Sequence, residues 1–417
     1  MSFFFSRDTK VFMKWSADGT TANTALYEIP VLDGFSFSQG TNTTEVTLNE
    51  AAGTSGYSKR GRAMFTDSFA PAEWSFSTYM RPTTSAAGAY AADAGLHAGG
   101  AKKFAVEGPL WAAMGAENYM AAVGETGTFV PADHEPNAFD FANSNKVTIG
   151  VFDLFFVLGA SKDSEGDIYT TGTDGVTVYR LADCSVGSAT IDFDIDGIAQ
   201  IAWSGNGKTI EEIVQLKVTA GATSPAVSGE HSSTIGLIDE GVSSTDNYIR
   251  QKLTDLAITY DASESTGTLG ALGSSDITFA VTLTGGSISI ENNLNYLTPE
   301  TLGSVNTPLG HVTGTRSVSG NFTCYLNSES NGSLDLFEKL QESRGVITNA
   351  FALTFNIGGA SNTPKCAVAL PKAHLELPTH SIEDVISVDV AFHGLSSDMS
   401  SSTAANATNE ISVTYTS

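Results

Sequence analysis

One order of features occurs twice along this chain, and whatever fold the first half takes, the second must take as well. Ser75-Phe76-Ser77-Thr78-Tyr79-Met80 reads like Asn321-Phe322-Thr323-Cys324-Tyr325-Leu326, an aromatic with a Tyr three residues on in a strand-like pattern. Upstream, Asp33-Gly34-Phe35-Ser36-Phe37 and Asn292-Asn293-Leu294-Asn295-Tyr296 share a polar, turn, apolar, small, aromatic order. Downstream come two short helical stretches, 109–114 and 333–340. The second opens on Ser333 as an N-cap and sets Leu336, Phe337 and Leu340 on one face. Last, residues 198–205 match 387–394. Four matches in one order predict internal duplication.

The halves differ in their loops, the first carrying an Ala/Gly-rich insertion near 83–101 and extra sequence near 119–146. The division read from this pattern is a first unit at 1–207, a Ser/Thr/Gly-rich linker at 208–250 and a second unit at 251–417. Only 16% of residues are charged, against about 25% in ordinary domains, and polar turn formers fill the gap. The expected class is mainly β: two tandem sandwich or barrel units, each with a short flanking α-helix. Phe76, Tyr79, Trp203, Phe322, Tyr325 and Phe392 are the expected core.

The formal net charge is −25, from 46 acidic and 21 basic residues, spread over both halves. Such a chain does not grip nucleic acid, which needs Lys and Arg on phosphates. Cys184, Cys324 and Cys366 are odd in number, far apart and read as buried thiols. The start, MSFFFSRDTKVFMKW, lacks a signal-peptide core, and no apolar run is long enough to span a membrane. The expected site of synthesis is a cytoplasm.

Residues 189–205, ATIDFDIDGIAQIAWSG, contain the D-x-D-x-D-G opening of a calcium loop at Asp192, Asp194, Asp196 and Gly197. A calcium loop of that kind ends on a Glu about twelve residues on, between helices; here that position is Trp203. A hairpin fits better, with Ile191, Phe193 and Ile195 on one face, Asp192 and Asp194 on the other, and Asp196-Gly197 as a two-residue turn. The following Ala202 to Thr209 imitates a phosphate-binding loop, but no βα alternation surrounds it. The seven His residues are scattered, with no H-E-x-x-H and no G-x-S-x-G. No catalytic, cofactor or metal site is expected, and no enzyme. Lys59-Arg60-Gly61-Arg62 is the densest basic cluster, placed to meet an acidic patch on another copy.

The runs Phe35 to Thr41, Glu73 to Pro82 and 109–116, with Val178 to Val186 and Gly310 to Arg316, resemble the major tail tube proteins of long-tailed bacteriophages. The resemblance implies a two-sheet β unit with a helix. Six such units form a ring whose inner strands close into one barrel, and rings stack into a tube that carries DNA to the host. Two units per chain would make the ring a trimer. Asp192 and Asp194 are then the candidates to face the bore, and Lys59, Arg60 and Arg62 to reach the next ring. The implied partners are copies of itself, the tape measure, terminator and baseplate or tip proteins, and double-stranded DNA in passage without specific binding, with no membrane. The location is the virion tail. Rival readings are a secreted β-sandwich adhesin or surface-layer protein, and a cation-dependent or carbohydrate-active β protein.

Overall fold

In the computed structural model the described residues are 4–16, 25–46, 63–85, 102–115, 138–141, 149–159, 168–172, 175–219, 230–237, 248–260, 276–298, 302, 305–342, 351–362, 364–382, 385–397 and 409–416. The first half supplies β1 (Lys10–Ser16), β2 (Ser36–Val46), β3 (Ala63–Tyr79), α1 (Gly108–Gly115), β4 (Val151–Leu158), β5 (Thr177–Phe193), β6 (Gln200–Gly207) and β7 (Thr209–Ile213). The second supplies β8 (Asp255–Tyr260), β9 (Thr282–Glu291), β10 (Leu294–Leu297), β11 (Gly310–Thr313), β12 (Ser317–Tyr325), α2 (Ser333–Glu342), β13 (Phe351–Ile357), β14 (Lys365–Leu375), β15 (Thr379–Ser381), β16 (Ser387–Leu395) and β17 (Ser412–Thr416).

The same pairings occur in both halves. In the first, antiparallel neighbours run β2-β3-β6-β5, and the start of β5 leaves this layer to pair with β4 and β7. In the second they run β9-β12-β16-β14, and the start of β14 pairs with β13 and β17. The change of layer in β5 falls at an irregularity between Leu181 and Cys184, where Asp183 has φ +50°. A bulge is how one strand bends into two sheets. Past Pro378, β15 continues the line of β14 along β16.

Period-two alternation buries one face of each inner strand. Phe76, Trp203, Phe322 and Phe392 are all buried. Trp203 donates through Nε1 to Thr78 Oγ1 at 2.9 Å, so its polar atom is satisfied inside. Tyr79 is half-buried and Tyr325 is exposed, contrary to expectation. Each lies three residues beyond its Phe, an odd step that puts it on the opposite face. Ile195 is also exposed, because β5 ends at Phe193. Asp192 pairs with Gln200, so the connection runs through 193–199 and is no two-residue turn; Gly197, at φ +114°, turns within it. Strands flank this loop on both sides, as they do the Gly205–Thr209 stretch. Residues 209–213, 215–219 and 230–237, within the expected linker, are strands.

The register also corrects the expected repeat. Ser36 lies opposite Ser75, and Ser287 opposite Asn321, so the partner of Ser36 is Ser287 rather than Asn295. Phe76 faces Trp203 while Phe322 faces Val390, so Phe392 stands two residues along from the Trp203 position. Ser333 does not cap α2: its hydroxyl accepts the Asn327 N–H and donates to the Tyr325 carbonyl. Leu336, Phe337 and Leu340 are buried as expected.

Two glycines mark where aromatics lie flat on a neighbouring strand. A Cβ on Gly205 would stand 2.6 Å from Trp74, and one on Gly320 would stand 2.6 Å from Phe392, each also 2.1 Å from a backbone carbonyl. Gly320→Val should therefore destabilise the fold by about 3 kcal/mol, the upper end of overpacking costs. Urea titration checks this, and a loss below about 1 kcal/mol would refute the tight contact.

Candidate assembly edges and channel face

The two halves meet as one sheet. Ser188–Phe193 of β5 pairs antiparallel with Gly286–Glu291 of β9, in the register Thr190↔Ser289 and Asp192↔Ser287. The inner layer thus runs without a break from β2 to β14. Just beyond the seam, buried Asn292 donates to the carbonyls of Val186 at 3.0 Å and Met114 at 3.2 Å.

Helix α1 lies behind this seam and is buried at all eight positions. A helix apolar all round needs protein on every side, and here the second half provides part of it. Trp111 packs edge-on against Trp203 with centroids 4.7 Å apart and donates through Nε1 to the Tyr415 hydroxyl on β17 at 2.9 Å. Glu107 precedes the helix, and its carbonyl accepts the Leu110 N–H at 3.0 Å. Its carboxyl is hydrogen-bonded to Tyr415, and burial pushes its pKa up to about 7 despite that bond and the nearby Arg81. At the other end, Arg316 donates to the Gly115 carbonyl at 3.0 Å and the Phe141 carbonyl at 3.3 Å, stands 5.0 Å over the Phe141 ring and pairs with Glu410 at 3.5 Å. Burial lowers the Arg316 pKa, and Glu410 opposes that shift. The cation at the helix end matches the helix dipole.

The opposite face of the inner layer has a uniform chemistry. One cross-strand row reads Tyr79, Gln200, Asp192, Ser287, Asn321 and Ala391; the next reads Ser77, Ala202, Thr190, Ser289, Ser319, His393 and His374. A third reads Ser36, Ser75, Ser204, Ser188, Glu291 and Ser317. Glu73 and Asp389 add carboxylates. No Lys or Arg occurs in the segments 36–39, 72–79, 188–193, 200–206, 282–291, 317–325 and 387–393, whereas β14 at the end of the layer places Lys372 and His374 on the same side as His393. Hydroxyl groups bond along the rows, as Ser188 to Ser204 at 2.7 Å and Ser36 to Ser75 at 2.8 Å. The result is a surface of mostly short polar side chains carrying carboxylates, with Tyr79 and Tyr325 on the same side.

At its two ends the layer stops on strands paired along one side only among the described residues. β2 pairs with β3, and β15 with β16. The residues around β15 are exposed, Leu377 at 59% and Ile382 at 81%. Unpaired edges of this kind either are blunted or find a partner.

A family model described as phage tail tube protein matches residues 106–394. The chain belongs to the phage tail tube protein family. It is also 27% identical over 403 residues to tail tube protein pb6 of Escherichia phage T5, covering 96% of this chain and 74% of that protein. The family match runs through the β5–β9 seam, α1 and Arg316. This tail tube protein is accordingly a structural component of the virion tail. No helix among its described residues is long and apolar enough to cross a membrane.

Of the expected site residues, the structure places Asp192 on the carboxylate face and Asp194 just past the end of β5, both exposed. Asp194 Oδ1 accepts the Ile195 N–H at 2.6 Å. Lys59, Arg60 and Arg62 lie outside the described residues. The three cysteines are buried free thiols; burial pushes Cys324 up to about 11 and the other two well above the ordinary thiol range. Sequence reading missed Glu107, Arg316, Glu410 and Asn292. The available signal was a sparse one: charged residues within otherwise apolar or turn-rich runs, with partners far away in the chain.

Proposed function

We propose that three copies of this tail tube protein close into a ring of six related units, that rings stack into the tail tube, and that the hydroxyl and carboxylate face lines its bore. The observation that carries this reading is the β5–β9 seam, a finished junction between two units, beside two bare edges that are its counterparts. By the matched registers, β2 corresponds to β9, and β14 with β15 corresponds to β5. Edge β15 of one copy then receives β2 of the next, with Thr379 opposite Ser38 and Ser381 opposite Ser36. A heterologous contact of this kind closes into a cyclic ring when its rotation permits.

The chemistry of the face suits passage of a polyanion. DNA carries one negative charge per about 1.7 Å of axis, and its strong binders neutralise phosphates with Lys and Arg. Carboxylates on central strands that carry no Lys or Arg do the opposite, over a screening length of about 8 Å at physiological salt. Only groups on the bore itself act at that range, and Asp192, Glu291, Glu73 and Asp389 are so placed in this reading. Asp194 stands at the rim. Lys59, Arg60 and Arg62 remain the proposed contacts to the next ring, and the tape measure, terminator and baseplate or tip proteins the proposed tail partners.

The test is a pair of cysteines, Ser38→Cys with Thr379→Cys. Oxidised assemblies should give disulfide-linked dimers and trimers on non-reducing gels, with neither single variant doing so, and native mass should give three chains per ring. A six-chain ring, or an assembled tube in which the pair never cross-links, would overturn the reading.

A further inference from the structure

At the seam, the core side of the sheet is closed by one residue from each half. Phe193, at the end of β5, lies opposite Gly286 of β9. A Cβ on Gly286 would stand 2.8 Å from the Phe193 ring, so the ring covers that glycine. It continues onto Phe355 of β13, with centroids 5.5 Å apart. Phe193 and Phe355 are buried there, as are Ile191 and Ile288 one cross-strand step further on. A large side chain from the first half thus fills a gap that the second half leaves open.

At the two open edges the matched positions carry the opposite order of sizes. Ser36 matches Ser287, so Phe35 stands where the second half has Gly286. The irregularity between Leu181 and Cys184 in β5 recurs between Leu370 and Ala373 in β14, which makes Phe156 of β4 the counterpart of Phe355. Phe35 stacks on Phe156 at 5.8 Å, so the gap that Phe193 fills at the seam is filled here from within the chain. At the other edge, Ser381 matches Asp192, each pairing with the first residue of its matching strand, Ser387 and Gln200. The Phe193 position is then Ile382. It is exposed, as are Leu377, Val385 and Ile386 in the same stretch of chain.

We propose that Ile382 of one copy closes over Phe35 of the next, sealing the core side of the ring junction with the sizes of the seam exchanged. The occupant of the Ile382 surface is a second copy of this chain. The inference rests on the ring reading and adds to it an apolar contact behind the hydrogen-bonded edges. One cross-strand step further on, the same register sets His380 against Phe37, where the seam has Ile191 and Ile288. A buried face specifies the register of a strand pair far more strongly than a polar one. The exchanged sizes also sort the two kinds of junction. Phe193 brought against Phe35 would be overpacked, and Ile382 brought against Gly286 would leave a void. An edge that meets the wrong unit therefore fits poorly, which is how a misfit gives specificity.

Size exchange tests it. Ile382→Phe should reduce the assembled fraction, measured by sedimentation at fixed protein concentration, at least about tenfold, an effect of about 1.4 kcal/mol. In a Phe35→Ala background, which reopens the gap, the same Ile382→Phe change should instead raise assembly. A change of the same sign in both backgrounds would refute the pairing with Phe35. Ile382→Asp, at an exposed position, should impair assembly without lowering the monomer melting temperature, and it decides the matter if Phe35→Ala does not fold. The Ser38–Thr379 cross-link separates the two ideas. If it forms while Ile382→Phe and Ile382→Asp assemble like wild type, the apolar contact is wrong and the ring stands. Failure of the cross-link in assembled tubes refutes the ring itself.

Discussion

Arg316→Met is expected to destabilise the monomer by about 3–5 kcal/mol, the cost of leaving a buried ion-pair partner behind. Glu410 would remain in a site only 8% exposed without its guanidinium. The carbonyls of Gly115 and Phe141 would lose their donor as well. The Gly115 bond matters most, being the shorter and lying where the helix dipole is negative. Arg316→Lys should recover only part of the loss, because one ammonium cannot fork to both carbonyls and the carboxylate. Equilibrium urea unfolding measures the effect. A loss under about 1 kcal/mol for Arg316→Met would mean that the site is wet and the clamp unimportant.

The second large effect is one of pH. Glu107 has its folded pKa raised to about 7 by burial, from the model-compound 4.5. The folded state therefore prefers the protonated acid. The stabilisation from this group is complete below about pH 4.5, declines as pH rises from there, and is gone above about 7. The difference spans about 3 kcal/mol, at 1.36 kcal/mol for each tenfold change in proton affinity. Other carboxylates titrate over the same range, so the informative quantity is the stability gap between wild type and Glu107→Gln at each pH. That gap should shift by about 3 kcal/mol in favour of the Gln variant between pH 4.5 and 8. A constant gap would show that Glu107 is ionised inside the fold and matched by its neighbours.

Much of this architecture could be read from residue order, and the reasons are local. Phe76, Trp203, Phe322 and Phe392 announce themselves because each stands in a strand whose neighbours alternate with it. The Tyr residues at 79 and 325 misled for the same reason, since a recurring aromatic spacing of three cannot lie on one face of a strand. The β2–β9 equivalence was found at the wrong residues. Turn chemistry at Asn292-Asn293 looks like that at Asp33-Gly34, but only hydrogen-bond register shows that the former sits at the far end of its strand. The clamps on α1 were out of reach altogether. Arg316 meets Gly115 across 201 residues of chain and Glu410 across 94, and no periodicity links groups so distant. The carboxylate face was half legible: Asp192 declared itself by alternation, whereas Glu73, Glu291 and Asp389 join it only once the strands are laid side by side.

The seam between β5 and β9 bears on how a tube could have diversified. A contact between separate copies must form by collision, at whatever concentration the cell provides. One built into a single polypeptide forms at the high effective concentration that tethering supplies, and the identity of the two partners is fixed by the gene. Each side of that joint can then change without regard to the other's outer edge.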